Sequence, residues 1–272
     1  MYKSLGKVGA HLISMLYDQN KTIFTVKDVQ KITGLKRNSA SNLTGRLVRH
    51  SIIARIKKGT FIIIPQEINN PHYIGNWFVA AREMSKSKDY YISHYSAMDI
   101  HNMVTHPITK VLISSPVQEH KKQKIIEQVN FEFIYTNKKN IWGIENVWVT
   151  KSEEVRVSTI ERTIIDCLYQ PKYCGGILEI SNGIWMQKEK IDFDKLFKYL
   201  NTFDKIIVCK RVGYILECLG LADTRYLNKL RTKNNNKYYV LDPLLTLHKT
   251  YKNSWKLIAN IGQEEIQQAV RA

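Results

Sequence analysis

The chain has 272 residues, of which 44% are hydrophobic, so it is long enough to bury a substantial core and to form two domains. It is strongly basic, with a formal net charge of +17 at pH 7. The first residues contain no apolar segment and the longest aliphatic run, residues 61–64, ends at Pro65, so we expect a cytoplasmic protein with neither a signal peptide nor a membrane span. The four cysteines are widely spaced, which favours reduced, buried thiols over a zinc site or a disulfide framework.

The positive charge is concentrated near the N-terminus. Residues 1–66 hold twelve basic and two acidic side chains, a net charge of +10, whereas the other residues carry +7 over three times that length. A local excess of this kind attracts a polyanion. We therefore expect DNA contacts in residues 1–66 and a different role for the rest of the chain.

Hydrophobic spacing in residues 1–66 predicts three helices. The first runs from about Leu5 to Leu16 and ends at a polar turn. Thr25 begins the second helix, because its hydroxyl can accept a hydrogen bond from the first turn and Asp28 completes a capping box. Gly34 can take the left-handed conformation that reverses the chain before a third helix at residues 37–50. This order is typical of a helix-turn-helix.

The third helix has two distinct faces when it is drawn at 100° per residue. Its apolar residues Ala40, Leu43 and Leu47 point inward, and Gly45 lies among small and polar residues on the opposite face. Small residues allow close approach to the major groove, asparagine can bond adenine, and arginine serves guanine or phosphate. We favour DNA contact over a merely solvated face. The predicted contact residues are Lys36, Arg37, Asn38, Ser41, Asn42, Arg46 and Arg49.

Residues 52–65 predict two short strands around a basic turn that contains Gly59. This hairpin corresponds to the wing of a winged helix. Arg55, Lys57 and Lys58 are predicted to contact the phosphate backbone or the minor groove, where they add affinity with little sequence information. An exposed hairpin with solubilising lysines is the alternative interpretation.

A polar connector at residues 67–71 separates the predicted winged helix, residues 1–66, from a second predicted domain, residues 72–272. Alternating strand-like and helix-like segments in the second domain predict a mixed sheet with helices packed on it. The fold class is therefore α/β, of the α+β type. The expected helices lie near residues 73–84, 95–103, 158–169, 176–188, 193–200 and 212–219. The expected strands lie near residues 89–93, 110–114, 131–135, 147–150, 155–157 and 238–241.

Several segments, in order along nearly the whole chain, resemble the AbiEi-type antitoxin family. The N-terminal likeness lies in the third helix and the wing. Asn102 is a departure, because the family often has glycine there, and it affects only a local turn. The segments that carry the resemblance are residues 34–47, 58–65, 90–97 with His101, 158–166, 171–176, 211–220, 241–243 and 255–260.

The resemblance implies an antitoxin that represses its own toxin–antitoxin, phage-defence operon. The winged helix is expected to bind double-stranded operator DNA, with inverted repeats. The C-terminal domain is expected to counteract a nucleotidyltransferase-like toxin by contact, by modification, or by opposing its effect on a substrate. No membrane association, cofactor or metal is expected.

Six residues in these segments are candidates for the antitoxin role. Arg162 and Asp166 are four residues apart on one helical face, and we favour a structural ion pair over a partner contact. Arg211 and Glu217 flank an apolar helix, where attachment to the sheet and contact with a partner are equally open. The full set is Glu161, Arg162, Asp166, Arg211, Tyr214 and Glu217.

We do not expect an enzyme. The chain has no glycine-rich loop followed by lysine, and it lacks the Gly-Ser that begins the metal motif of nucleotidyltransferases. A nuclease is the first alternative, with Asp99 and residues 119–121 (Glu-His-Lys) as metal-site candidates. A regulator whose second domain senses a small ligand is another alternative. The histidines at 94, 101 and 106 are not spaced as metal ligands on one helix.

Overall fold

The computed structural model describes residues 5–68, 70–118, 123–126, 129–233, 235–247 and 253–271. Its contacts divide the chain into two compact units. The first unit comprises Met1–Lys88, Gln123–Phe131 and Val147–Val155. The second comprises Asp89–Lys122, Glu132–Asn146 and Arg156–Ala272. Helices and sheets of mixed strand orientation give the α+β class that the sequence predicts.

The N-terminal part of the first unit is a winged helix-turn-helix. Its sheet is antiparallel with the strand order β1-β3-β2, and β2 and β3 form the predicted wing. The elements are α1 (Gly6–Asp18), β1 (Ile23–Thr25), α2 (Val26–Thr33), α3 (Arg37–Arg49), β2 (Ile53–Lys57), β3 (Thr60–Ile63) and α4 (Trp77–Met84). The sequence did not predict β1, because three residues are too few to show a strand pattern.

One apolar core holds these first helices on the small sheet. The inward face predicted for α3 is confirmed, since Ala40, Leu43 and Leu47 are buried. They pack with Leu12 and Leu16 of α1 and with residues of both wing strands.

Beyond Lys88 the chain forms a larger mixed sheet and a helical layer. The strand order of that sheet is β6-β7-β5-β4-β9-β8, in which β4 is antiparallel to β5 and parallel to β9. The strands of this sheet are β4 (Tyr91–Ile92), β5 (Lys110–Ser115), β6 (Gln123–Ile126), β7 (Val129–Tyr135), β8 (Ile144–Trp148) and β9 (Glu154–Ser158). A separate parallel pair is formed by β10 (Tyr239–Val240) and β11 (Leu257–Ile258). The helices are α5 (His94–Ile100), α6 (Ile160–Tyr169), α7 (Ile177–Met186), α8 (Phe193–Phe203), α9 (Ile206–Leu219), α10 (Thr224–Arg231) and α11 (Gln263–Ala269).

Several boundaries differ from the sequence expectations. The helix expected from residue 73 begins at Trp77, because the Asn76 side chain accepts hydrogen bonds from the amides of Phe78 and Val79 and caps it there. The helix expected to reach residue 103 ends at Ile100. The sequence did not predict β6, β11, α10 or α11, whose patterns are short or largely polar.

The core of the second unit contains a close contact between helix α9 and the chain near Trp255. A Cβ atom added to Gly213 would lie 2.2 Å from the Trp255 ring, and Trp255 is fully buried. All four cysteines are free and buried, as expected. Within the part of the chain that the structure describes, no helix has the length and apolar character needed to cross a membrane.

Candidate nucleic-acid interface

Local hydrogen bonds fix the start and end of α2, the helix that precedes the candidate recognition helix. The Thr25 hydroxyl accepts from the Asp28 amide at 3.4 Å, and the Asp28 carboxylate accepts from the Thr25 amide at 2.7 Å. The predicted capping box is therefore confirmed. Burial alone would raise the pKa of Asp28, but hydrogen bonds from Lys21 and Thr25 lower it below its ordinary value. Gly34 has φ +69°, the left-handed conformation that the reversal of the chain requires.

All ten side chains predicted to contact DNA lie on the surface of the first unit. Seven are on α3 or immediately before it, and three are on the wing. The exposed residues are Lys36, Arg37, Asn38, Ser41, Asn42, Arg46, Arg49, Arg55, Lys57 and Lys58. Because the opposite face of α3 is buried in the core, the polar face is the one that this helix presents outward.

Gly45 lies in the interior of α3, on the same face as Asn38, Asn42 and Arg49. A Cβ atom built on Gly45 meets no heavy atom within 4 Å, so packing inside the protein does not require glycine at this position. Glycine within a helix is unfavourable relative to alanine. The missing side chain leaves a flat patch at the centre of the polar face.

The wing turn is held against the start of α2. Gly59 has φ +80°, and its carbonyl accepts a hydrogen bond from the Val26 amide at 3.1 Å. The Arg55 guanidinium lies 5.6 Å from the centre of the Phe61 ring, which orients it along the wing. Arg55 and Lys58 therefore project from a strand and a turn that backbone hydrogen bonds keep in place.

Lys57 differs from the other two basic residues of the wing. Its ammonium donates a hydrogen bond to the carbonyl oxygen of Glu83, in α4 of the same unit. Contact of Lys57 with a phosphate would compete with this bond. Arg82, next to Glu83, pairs with the Glu153 carboxylate at 2.8 Å. Nothing in the sequence pattern predicts that α4 contacts the wing.

In the second unit, Arg162 and Asp166 form a fully buried ion pair. The Arg162 Nε lies 3.0 Å from the Asp166 carboxylate, and the two side chains are 1% and 6% exposed. The guanidinium also faces the Trp142 ring at 4.1 Å and donates to the Tyr91 hydroxyl at 3.3 Å. Burial by itself would lower the pKa of Arg162, but Asp166 and Tyr91 raise it. The predicted pair on one helical face is confirmed.

The other candidates of the second unit have partners within the chain. Glu161 accepts from the Asp192 amide at 3.2 Å, and the Tyr214 hydroxyl donates to the carbonyl of Ile261 at 3.0 Å. Glu217 is exposed and accepts from the Trp255 indole.

Arg211 attaches helix α9 to two neighbouring elements. Its guanidinium donates to the carbonyl of Leu168 in α6 at 2.6 Å and to the carbonyl of Val240 in β10 at 2.9 Å. Burial lowers the pKa of Arg211 to about 10, although Asp242 opposes this shift. Of the two interpretations that the sequence left open, these contacts favour attachment to the sheet.

Sequence reasoning did not identify the residues that surround Arg162. Tyr91 and His94 come from residues 90–97, a segment that carries the family resemblance, and both are buried beside α6. The Tyr91 hydroxyl donates to Asp166 at 3.2 Å, and His94 Nε2 lies 3.2 Å from Gln170 Oε1. Their side chains, together with α6, line a small pocket.

The nuclease alternative depends on Asp99 and residues 119–121. Asp99 is half-buried at the end of α5, and burial raises its pKa above the ordinary value. Residues 119–121 lie outside the described residues.

The fold and the exposed basic face define a winged helix-turn-helix protein with a second α+β unit. No family model and no curated protein matches the chain. Among solved structures, the chain is similar to the RV2827C protein from Mycobacterium tuberculosis, with a TM-score of 0.71 and 12% sequence identity. The likeness covers 99% of this chain and 96% of that protein. At this identity the likeness shows that the two proteins share a fold.

Proposed function

We propose that this protein is a cytoplasmic antitoxin and transcriptional autorepressor of a toxin–antitoxin operon. The observation that carries the DNA-binding half is the exposed face of α3, where cationic and amide side chains surround Gly45 on a helix whose other face is buried. The antitoxin half is supported by the resemblance of the sequence to AbiEi-type antitoxins.

In this proposal, α3 enters the major groove and the wing follows the phosphate backbone. Asn38 and Asn42 are suited to read base edges, since an asparagine amide can bond both N6 and N7 of adenine. Arg46, Arg49 and Lys58 neutralise phosphates, which contributes affinity with little regard to sequence. A pair of protomers on inverted repeats would place two α3 helices about one helical turn apart.

Binding to the DNA upstream of the gene is measured by fluorescence anisotropy over a salt series. If several phosphates are neutralised, the affinity should fall by about three orders of magnitude or more between 50 and 200 mM salt. Arg46→Ala should weaken binding, whereas Lys190→Ala, which removes an exposed charge from the second unit, should not. Absence of binding at low salt, or equal effects of the two substitutions, would contradict the proposal.

The antitoxin half is tested by growth rescue in cells that express the neighbouring reading frame. The full chain is used, because Val147–Val155 belongs to the first unit and removal of the N-terminal residues would leave that segment without its neighbours. The double variant Arg46→Ala/Arg49→Ala should lose repression of a promoter reporter and keep rescue. Loss of both functions in a protein that is stable and folded would show that they do not separate in this way.

A further inference from the structure

The second unit contains a pocket of about 210 Å³ at the C-terminal end of α6. Its inner wall is polar and is formed by Tyr91, His94, Arg162, Asp166 and Gln170. Tyr91 and His94 come from one segment, and the other three residues come from α6 or the position after it, far along the sequence. The volume corresponds to about seven water molecules. It lies below the roughly 300–1,000 Å³ of pockets for drug-sized ligands, so it suits a ligand of one or two rings.

A chain of buried hydrogen bonds fixes the inner wall. The Ser93 hydroxyl lies 2.8 Å from that of Ser114 and 2.9 Å from His94 Nδ1. His94 Nε2 continues the chain to Gln170. His94 also has φ +53°, a backbone conformation that is uncommon for residues other than glycine and that concentrates at ligand sites. The donors and acceptors of this wall are therefore held in fixed directions.

The charges of the wall select against ions. Arg162 and Asp166 are paired with each other, so an anion in the pocket meets the carboxylate and a cation meets the guanidinium. Burial lowers the pKa of His94 and raises that of Tyr91, so both are neutral at pH 7. The wall as a whole offers neutral donors and acceptors around a compensated ion pair.

The outer wall supplies aromatic rings and a second amide. Tyr169 and Phe203 contact edge to face, with ring centres 5.2 Å apart, and Tyr135 is 60% exposed. Asn140 lies beside them and is half-buried. Aromatic faces stack on bases, and amides hydrogen-bond to base edges.

From this combination we propose that the pocket binds a nucleobase, either free or as the base of a nucleoside or nucleotide. The base fills the pocket with its hydrogen-bonding edge toward Gln170 and Asn140. A sugar or phosphate extends past the pocket, since the volume accommodates little beyond the base. The inference is independent of the DNA-binding role of α3.

The test is isothermal titration calorimetry of the full-length protein with adenosine, guanosine, cytidine and uridine. At least one nucleoside should bind saturably with 1:1 stoichiometry. Its 5′-monophosphate should bind within about threefold of the nucleoside, since the described residues that line the pocket include no unpaired cation for a phosphate. The free base should bind as well as the nucleoside if the base alone is the ligand. Inorganic phosphate should not compete.

Two pocket variants and one control make the result specific. Gln170→Ala and Asn140→Ala should each weaken binding at least tenfold, while Gln268→Ala, at an exposed amide of α11, should leave it unchanged. Asn140→Ala is the safer variant for folding, since Gln170 also contacts His94. The proposal is overturned if no nucleoside binds saturably, if both pocket variants bind as the wild type does, or if phosphate competes.

Discussion

Gly45→Ala tests whether α3 enters a groove of DNA, because the substitution should affect folding and binding in opposite directions. Alanine within a helix is more favourable than glycine by roughly 0.5–1 kcal/mol. The new methyl group meets no heavy atom within 4 Å, so no clash offsets this gain. The midpoint of thermal unfolding should rise by about 1–2 °C for a protein of 272 residues.

DNA binding should weaken in the same variant. The methyl group of Gly45→Ala would stand between Asn42 and Arg49 along the helix, on the face proposed to approach the bases. We expect about a tenfold loss of affinity for the operator, which corresponds to about 1.4 kcal/mol. DNA affinity is measured by fluorescence anisotropy with the same DNA at constant salt, and thermal stability is measured by calorimetry of the free protein.

Ser39→Ala is the matched control, since Ser39 is exposed on α3 but points away from the centre of the polar face. It should leave DNA affinity unchanged. If Gly45→Ala raises stability and binds operator DNA as tightly as the wild type, then close approach to the groove is not the reason for glycine. If the variant is less stable than the wild type, the open space around Gly45 on α3 is wrong.

Four other substitutions test base reading, phosphate contact, helix capping and core packing. Asn42→Ala should reduce the free energy of DNA binding by about 1–3 kcal/mol and relax specificity at one base pair. Lys58→Ala should instead weaken binding to all sequences alike and lower the slope of log affinity against log salt concentration by about 1. Equal, sequence-independent losses of affinity in an anisotropy series would contradict the roles assigned to these two residues. Because the pKa of Asp28 is lowered in the folded protein, its ionised carboxylate stabilises the fold at pH values above the ordinary pKa of 3.8. This contribution to stability is lost as the pH falls through the folded-state pKa. Asp28→Asn should therefore be less stable than the wild type at pH 7, and the difference should shrink as a thermal melting series goes below pH 3.8. Gly213→Ala should lower the free energy of unfolding, measured in urea, by about 1–3 kcal/mol or more, since its methyl group overlaps the Trp255 ring. A change below about 0.5 kcal/mol, the range of neutral surface substitutions, would show that the ring moves aside.

The winged helix was predictable because its signals are local. Thr25 and Asp28 cap the first turn of α2, and Gly34 follows its last turn. The apolar spacing of α3 depends only on helix geometry. Strand β1 was not predictable, since its three residues become a strand only by pairing with β3. The bond from Lys57 to Glu83 likewise depends on a distant helix and has no counterpart in the sequence pattern.

The fold class of the second unit was predictable from the sequence, but the surroundings of its candidate site residues were not. The spacing of Arg162 and Asp166 indicated an ion pair but not its burial, which comes from Trp142, Tyr91 and other residues of distant segments. The spacing of His94 bears only on metal binding, because the sequence does not show which residues a buried histidine contacts.

Because Gly213 packs against Trp255, the core of the second unit is completed only late in synthesis. The helix-turn-helix core ends at Ile63, whereas the core of the second unit requires Trp255, about 190 residues later. At about 5–20 residues per second, the ribosome needs roughly 10–40 s to cover that distance. During this interval the nascent chain carries a complete helix-turn-helix core without a complete second unit. Under the proposed function, translation that stops in this interval would therefore release a chain that presents α3 to DNA and lacks the rest of the protein.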